Sequence, residues 1–186
     1  MAERAERTET YISVDVETAG PTPSAFSMLS IGACLVESDD VNFYVELKPD
    51  KAAVVDSAMA IGGLSMSALE ANGQEPAAAM AQFEQWINSV VHEGNVPVFV
   101  GFNAVFDWMF VDDYFQRYLG RNPFGHSAID IKSLYMGAAG TTWARTSLKY
   151  LSPLYLDGSK LSHNALGDAK VQAAVFRAVR AESARR

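Results

Sequence analysis

Residues 96–102 form an apolar run, Val-Pro-Val-Phe-Val-Gly-Phe, without a single polar side chain. A strand of that composition is buried on both faces, so layers of other structure must cover it above and below. Helical patterns stand on either side. Pro76 suits the first position of a helix running to about His92 and closed by Gly94. Its Met80, Phe83, Trp86, Ile87 and Val90 recur at helical spacing and read as core. A second helix is predicted over residues 104–118, ending near Gly120. A buried strand between two such helices belongs to an α/β fold.

Three strands are predicted ahead of it. Residues 11–17 alternate with period two, and residues 26–37 and 41–48 follow the loop Gly20-Pro21-Thr22-Pro23. The polar break Ser38-Asp39-Asp40 joins the latter two as a hairpin. Residues 52–72 read as short Ala-rich helices broken at Gly62-Gly63. Beyond the loop Asn122-Pro123-Phe124-Gly125, residues 127–151 are mixed. A last helix spans 165–183, with Val171, Ala174, Val175 and Ala178 on one face. The expected architecture is a mixed sheet, antiparallel in its first three strands and parallel thereafter, flanked by helices. At 186 residues one domain is the default, here 11–183 behind a tail of residues 1–10.

Several function classes are excluded early. Cys34, in the apolar run Ile31-Gly32-Ala33-Cys34-Leu35-Val36, is the sole cysteine, so no intrachain disulfide or multi-cysteine zinc site exists; it reads as a small buried hydrophobe. No apolar run of about 18 residues predicts a membrane span, and the charged N-terminus is no signal peptide, so the cytoplasm is the expected compartment. No Gly-x-Ser-x-Gly turn, phosphate-loop Gly-Lys-Ser/Thr or His-Glu-x-x-His is present. The net charge of −7 is uneven: −12 over residues 1–144 and +5 over 145–186. Such a chain is a poor coat for long nucleic acid, whose binding rests on many Lys and Arg contacts. It is compatible with gripping a chain end, and with carboxylates reserved for divalent cations. A solvated acidic surface with a basic last helix accounts for the totals equally well.

Three local patterns carry chemistry. In Asp15-Val16-Glu17-Thr18, the strand period places Asp15 and Glu17 on one face with Ser13, and Ile12, Val14 and Val16 on the other. Adjacent carboxylates repel unless a proton or cation lies between them; the alternative is a solvent-facing edge strand with two unrelated acids. Asp107 is the only charge in Ala104-Val105-Phe106-Asp107-Trp108-Met109-Phe110-Val111, and no Lys or Arg lies within four residues of it. If buried, it needs a remote partner: a cation, a metal or a hydrogen-bond donor. If not, it sits on a narrow exposed stripe with Asp112 and Asp113. In His163-Asn164-Ala165-Leu166-Gly167-Asp168, the histidine precedes the last helix and Asp168 falls in its first turn. The helix dipole alone favours an acid there, and a loop histidine is often an ordinary surface residue.

Taken in order, Asp-x-Glu on the first strand, Asp on a middle helix and His-x4-Asp at the last helix resemble the DEDD superfamily of 3′–5′ exonucleases. The histidine subtype fits, the group of ribonuclease T, oligoribonuclease and the proofreading subunit of the replicative polymerase. Asn164 stands where the other subtype places a tyrosine. The motifs run from Asp15 to Asp168 and so cover most of the chain. Three positions depart from frequent family choices: Pro21 after the first-motif glycine, Ser30 in the second strand's usual Ile-Glu-Ile-Gly, and Phe102 rather than His before Asn103. None removes a metal ligand or the base.

The resemblance implies a ribonuclease H-like fold and two divalent cations, Mg²⁺ or Mn²⁺, held by Asp15, Glu17, Asp107 and Asp168. It implies His163 as general base toward the water that attacks the terminal phosphodiester, releasing a 5′-nucleoside monophosphate. The substrate is expected to be the 3′ end of single-stranded DNA or RNA, or a short oligonucleotide. Thr18, Asn103 and Phe102 are candidate substrate contacts; Trp143 and Phe26 are candidates for base stacking, and Arg145, Lys149 and Lys160 for phosphates. Several relatives are homodimers, so a homodimer is a further expectation. The competing class is a catalytically silent nucleic-acid-binding module on the same fold.

Overall fold

The computed structural model describes residues 8–156 and 163–184. Its sheet has five strands in the order β3-β2-β1-β4-β5. β1 (Glu9–Thr18), β2 (Met28–Leu35) and β3 (Asn42–Glu46) pair antiparallel in sequence. β4 (Val96–Gly101) and β5 (Ala128–Asp130) then add parallel to β1. The mixed α/β architecture is the one expected, and it decides one open alternative: β1 is the central strand, not an edge.

The helices are α1 (Asp56–Gly62), α2 (Met66–Asn72), α3 (Pro76–Val90), α4 (Ala104–Leu119), α5 (Ile131–Ala139), α6 (Leu148–Tyr155) and α7 (Ala165–Ser183). The mixed segment 127–151 thus resolves into β5, α5, a single 3-10 turn over Trp143–Arg145 and the start of α6. α3 and α4 cover one face of the sheet. There Met80, Phe83 and Ile87 from α3 join Phe110, Val111 and Phe115 from α4 against Ile12, Val14 and Val16. Full burial of each of these phenylalanines contributes about 1.5–3 kcal/mol. On the other face Val175, Phe176 and Val179 of α7 pack with Cys34, Val100, Ile131 and Leu151.

The inward face of α7 differs from the expectation. Ala165, Asp168, Ala169, Gln172, Ala173, Val175, Phe176 and Val179 are buried, while Val171, Ala174 and Ala178 are only half-buried. As far as Ala173, small size rather than hydropathy selects this stripe, because the helix start lies almost on the β2 backbone, whereas Val175, Phe176 and Val179 farther along fill the core. A Cβ added at Gly32 would fall 2.1 Å from the Leu166 nitrogen and 2.2 Å from the Ala165 carbonyl carbon. Only glycine permits that approach. β1 and β4 therefore end beside the beginnings of α4 and α7, an edge of the sheet at which α/β folds tend to bind ligands.

Candidate active site

β1 delivers the first two carboxylates. Asp15 and Glu17 point to the face covered by α7, as the period-two pattern predicts; the hydroxyl of Ser13 on the same face donates to the Ala169 carbonyl at 2.8 Å. The β1–β2 register shifts between Glu17 and Thr18, and such a bulge ends pairing and re-aims side chains. The following loop is held closed by Ala19 N–H to Ser27 (2.9 Å) and by the Thr18 hydroxyl to the Gly20 carbonyl (2.9 Å).

α7 supplies the third carboxylate. The Asn164 side chain caps the helix by accepting from Gly167 N–H at 3.1 Å, which sets Asp168 facing the sheet at 2 % exposure. One oxygen each of Asp15, Glu17 and Asp168 can be chosen so that all lie within 4.8 Å of one another. Three acids from two elements distant in the chain thus form one cluster.

Asp107 lies behind them, 4 % exposed. Of the alternatives left open for it, the buried one holds. Its remote partner includes a backbone donor, since Oδ1 accepts the Val16 N–H at 3.1 Å, between the two acids of β1. Burial pushes its pKa up to about 7, against the pull of that N–H. Burial likewise pushes Asp15 well above the ordinary carboxylate range, with Asp107, Asp168 and Glu17 adding repulsion in the same direction. Glu17 is raised by burial and by Asp168. Among the described residues no Lys or Arg forms an ion pair with Asp15, Glu17 or Asp107. Such a set of crowded, desolvated carboxylates fits a hard divalent cation, which prefers oxygen ligands.

His163 is exposed and stands at the mouth of this cluster. Its backbone N–H donates to Asp168 Oδ2 at 3.1 Å, and its imidazole lies close enough to Glu17 to work against the rise that burial and Asp168 impose there. Its φ of 54° is left-handed, as is that of Asn103 at 64°, the residue before α4.

Two contributors lie outside the motifs read from the sequence. Gln172, buried one turn beyond Asp168, donates to Asp15 Oδ1 at 2.5 Å and accepts the Phe102 N–H at 2.9 Å. It ties β1, β4 and α7 together at the cluster. Its signal was available: a helix turn carries i and i+4 on one face, so Gln172 had to follow Asp168 inward. Asp130 accepts from Ala104 N–H at 3.1 Å and from Ser133 N–H at 3.0 Å, capping α5 while steadying the start of α4.

The expected substrate contacts fall in different places. Asn103 is half-buried and makes no side-chain cap. Phe102 is half-buried against the α7-side core, and Phe26 against Ala19, Leu29 and Leu69. Trp143 is 50 % exposed, and Arg145 and Lys149 are exposed. Lys160 lies outside the described residues.

Residues 12–176 match a family of exonucleases. The chain belongs to that family. Membership agrees with the order of motifs from Asp15 to Asp168, those of DEDD 3′–5′ exonucleases. Among curated relatives of this exonuclease, the 3′–5′ DNA exonuclease Cap18 of Escherichia coli is 46 % identical over 171 residues, covering 92 % of this chain and 91 % of the relative. Solved structures share the fold at lower identity. E. coli exonuclease I in complex with a dT13 oligonucleotide superposes with a TM-score of 0.73 at 21 % identity, over 96 % of this chain and 42 % of that one. A zinc-bound form of its complex with single-stranded DNA gives 0.68 at 19 % identity, over 92 % and 40 %. The chain thus spans less than half the length of exonuclease I. No helix among the described residues is long and apolar enough to cross a membrane.

Proposed function

We propose that this exonuclease is metal-dependent and degrades single-stranded DNA from its 3′ end, releasing 5′-nucleoside monophosphates. The observation that carries the reading is the convergence of Asp15, Glu17 and Asp168 within 4.8 Å, with Asp107 bonded into the strand between the first two. The relative named as a 3′–5′ DNA exonuclease favours DNA over RNA.

In this reading Asp15, Glu17, Asp107 and Asp168 hold two divalent cations, Mg²⁺ or Mn²⁺. When bound, the cations neutralise the phosphate and stabilise the attacking and departing oxygens of an in-line displacement. The chain's own groups do the rest. Gln172 fixes the rotamer of Asp15, and the Asn164 cap fixes the first turn that carries Asp168. His163, exposed and tied by its backbone to Asp168, takes the proton from the attacking water; imidazole is the side chain that ordinarily titrates near neutrality, which suits a general base. Thr18 steadies the loop under the terminal nucleotide, and Asn103 and Phe102 border it at the end of β4.

The test is stepwise shortening of a 5′-labelled single strand with Mg²⁺, compared between matched DNA and RNA. Asp15→Ala is expected to abolish it, and His163→Ala to lower the rate by about 10²-fold or more while leaving the fold intact. Wild-type rates in both variants would refute the site; equal or faster cleavage of RNA would refute the substrate.

A further inference from the structure

The cations of this acidic chain are not spread evenly between paired and unpaired. Lys48, Lys51, Arg117, Arg121, Arg177 and Arg180 are each bound to a carboxylate. Among the described residues Lys132, Arg145, Lys149 and Lys170 form no ion pair; Lys170 lies on α7, and the other three come together from α5, the 3-10 turn and the first turn of α6. The Lys132 ammonium lies 4.1 Å from the centre of the Trp143 ring. Trp143 is nevertheless 50 % exposed, and Tyr150 beside Lys149 is 46 % exposed. With an ammonium against the ring, Trp143 still offers half of its surface to a flat partner.

This corner adjoins the carboxylates. Asp130, two residues before Lys132, pairs with Gly101 at the end of β4 and holds the Ala104 N–H that opens α4. Its oxygens are held by Ala104 and Ser133, and it forms no ion pair with Lys132. β5 lies two strand spacings from β1, about 10 Å. A strand whose 3′ end sits over Asp15 and Glu17 would cross the ends of β4 and β5 and arrive here.

We infer that Lys132, Trp143, Arg145, Lys149 and Tyr150 form a platform for the single-stranded DNA that trails 5′ of the terminal nucleotides. The inference rests on the exonuclease reading above and extends it to how substrate length is sensed. Aromatic faces among cations are the chemistry that holds single strands without sequence preference, the ring stacking on a base and the cations tracking phosphates. On a chain with a net charge of −7, a local positive patch also fixes where a polyanion can approach.

The test compares three variants with wild type: Trp143→Ala, Trp143→Phe, and the triple change Lys132→Gln, Arg145→Gln, Lys149→Gln. Hydrolysis is measured on a trithymidylate and on an oligothymidylate of about twenty residues, and binding of the longer strand is followed by anisotropy in EDTA across salt. Trp143→Ala and the triple variant are expected to raise KM for the long strand about five-fold or more, with kcat/KM for the short one unchanged. Trp143→Phe should restore most of the loss. The triple variant should flatten the dependence of log K on log salt by about 2, from roughly 0.7 per lost phosphate contact. Equal losses on both lengths, or none on either, overturn the platform. So does a change in sedimented mass, which makes the face a contact between copies instead. If wild type cleaves neither substrate, the exonuclease reading fails by itself, and the anisotropy arm still decides the platform.

Discussion

Without divalent metal, this protein should lose stability as pH rises from 5 to 7, and Asp107→Asn should remove much of that loss. Asp107 is 4 % exposed and its pKa is pushed by burial to about 7. The unfolded chain ionises the same group near 3.9. Across the interval between those values the folded state keeps a proton that the unfolded state has released. Stability therefore falls with rising pH there and levels off above about 7. Each pH unit is worth about 1.4 kcal/mol per group, so two units cost up to about 3 kcal/mol. For a domain of this size that lowers Tm by about 5–10 °C. Asp15 and Glu17, raised by burial and by neighbouring acids, push in the same direction. Asp50 does not confuse the window. Burial works against its ionisation, yet Arg117, Lys51 and Tyr114 hold it well below the usual range. Its contribution is present above its unfolded pKa and is lost only on acidification below about 4.

The assay is thermal unfolding in EDTA at pH 5, 6, 7 and 8, repeated with saturating Mn²⁺. The ion binds the ionised carboxylates, so its stabilisation should grow with pH and offset the decline. Asp107→Asn keeps the acceptor for Val16 N–H and removes the charge, so its metal-free Tm should change distinctly less. A metal-free Tm that stays level or climbs from pH 5 to 7 refutes the reasoning, as does a wild-type slope in the Asp107→Asn variant.

Three other outcomes are expected. Gln172→Leu strands the half-buried Phe102 N–H and releases Asp15; it should cost about 1–3 kcal/mol in denaturant unfolding and raise the Mg²⁺ concentration needed for half-maximal activity, and an unshifted Mg²⁺ curve would remove its positioning role. Gly32→Ala drives a methyl to within 2.1 Å of the Leu166 nitrogen, so it should destabilise by about 1–3 kcal/mol or more and weaken metal-dependent cleavage by displacing Asp168; a Tm at the wild-type value contradicts the close approach. Tyr114→Phe deletes the hydroxyl that donates to Asp50 at 2.7 Å and accepts from Met28 N–H at 2.8 Å, and should cost about 1.5–3 kcal/mol with specific activity intact, which calorimetry and a cleavage assay at a permissive temperature can separate.

What was legible in the sequence, and what was not, follows the range of the forces involved. Alternation in residues 11–17 placed Asp15 and Glu17 on one face because that is set within a few residues. The central place of β1 could not be read the same way: its polar face would suit an edge strand, and only parallel pairing with β4, from Glu9↔Val96 to Ser13↔Val100, decides the matter. The lack of any cation near Asp107 correctly pointed to a remote partner, yet the Val16 N–H is a backbone group and leaves no mark in a side-chain pattern. The α7 face was misjudged for a further reason. Hydropathy ranks Val171 above Ala169 and Gln172, whereas the helix start must come close enough to β2 to lie on Gly32. At that separation bulk is excluded, and the inward positions from Ala165 to Ala173 go to alanine and to two polar residues that the neighbouring strands satisfy or that a cation would. The residues that make α7 look like a weak core helix are thus the ones that let it carry Asp168 and Gln172 to β1. A bulkier, more apolar stripe would pack more surface and hold the third carboxylate too far from the first two to share an ion.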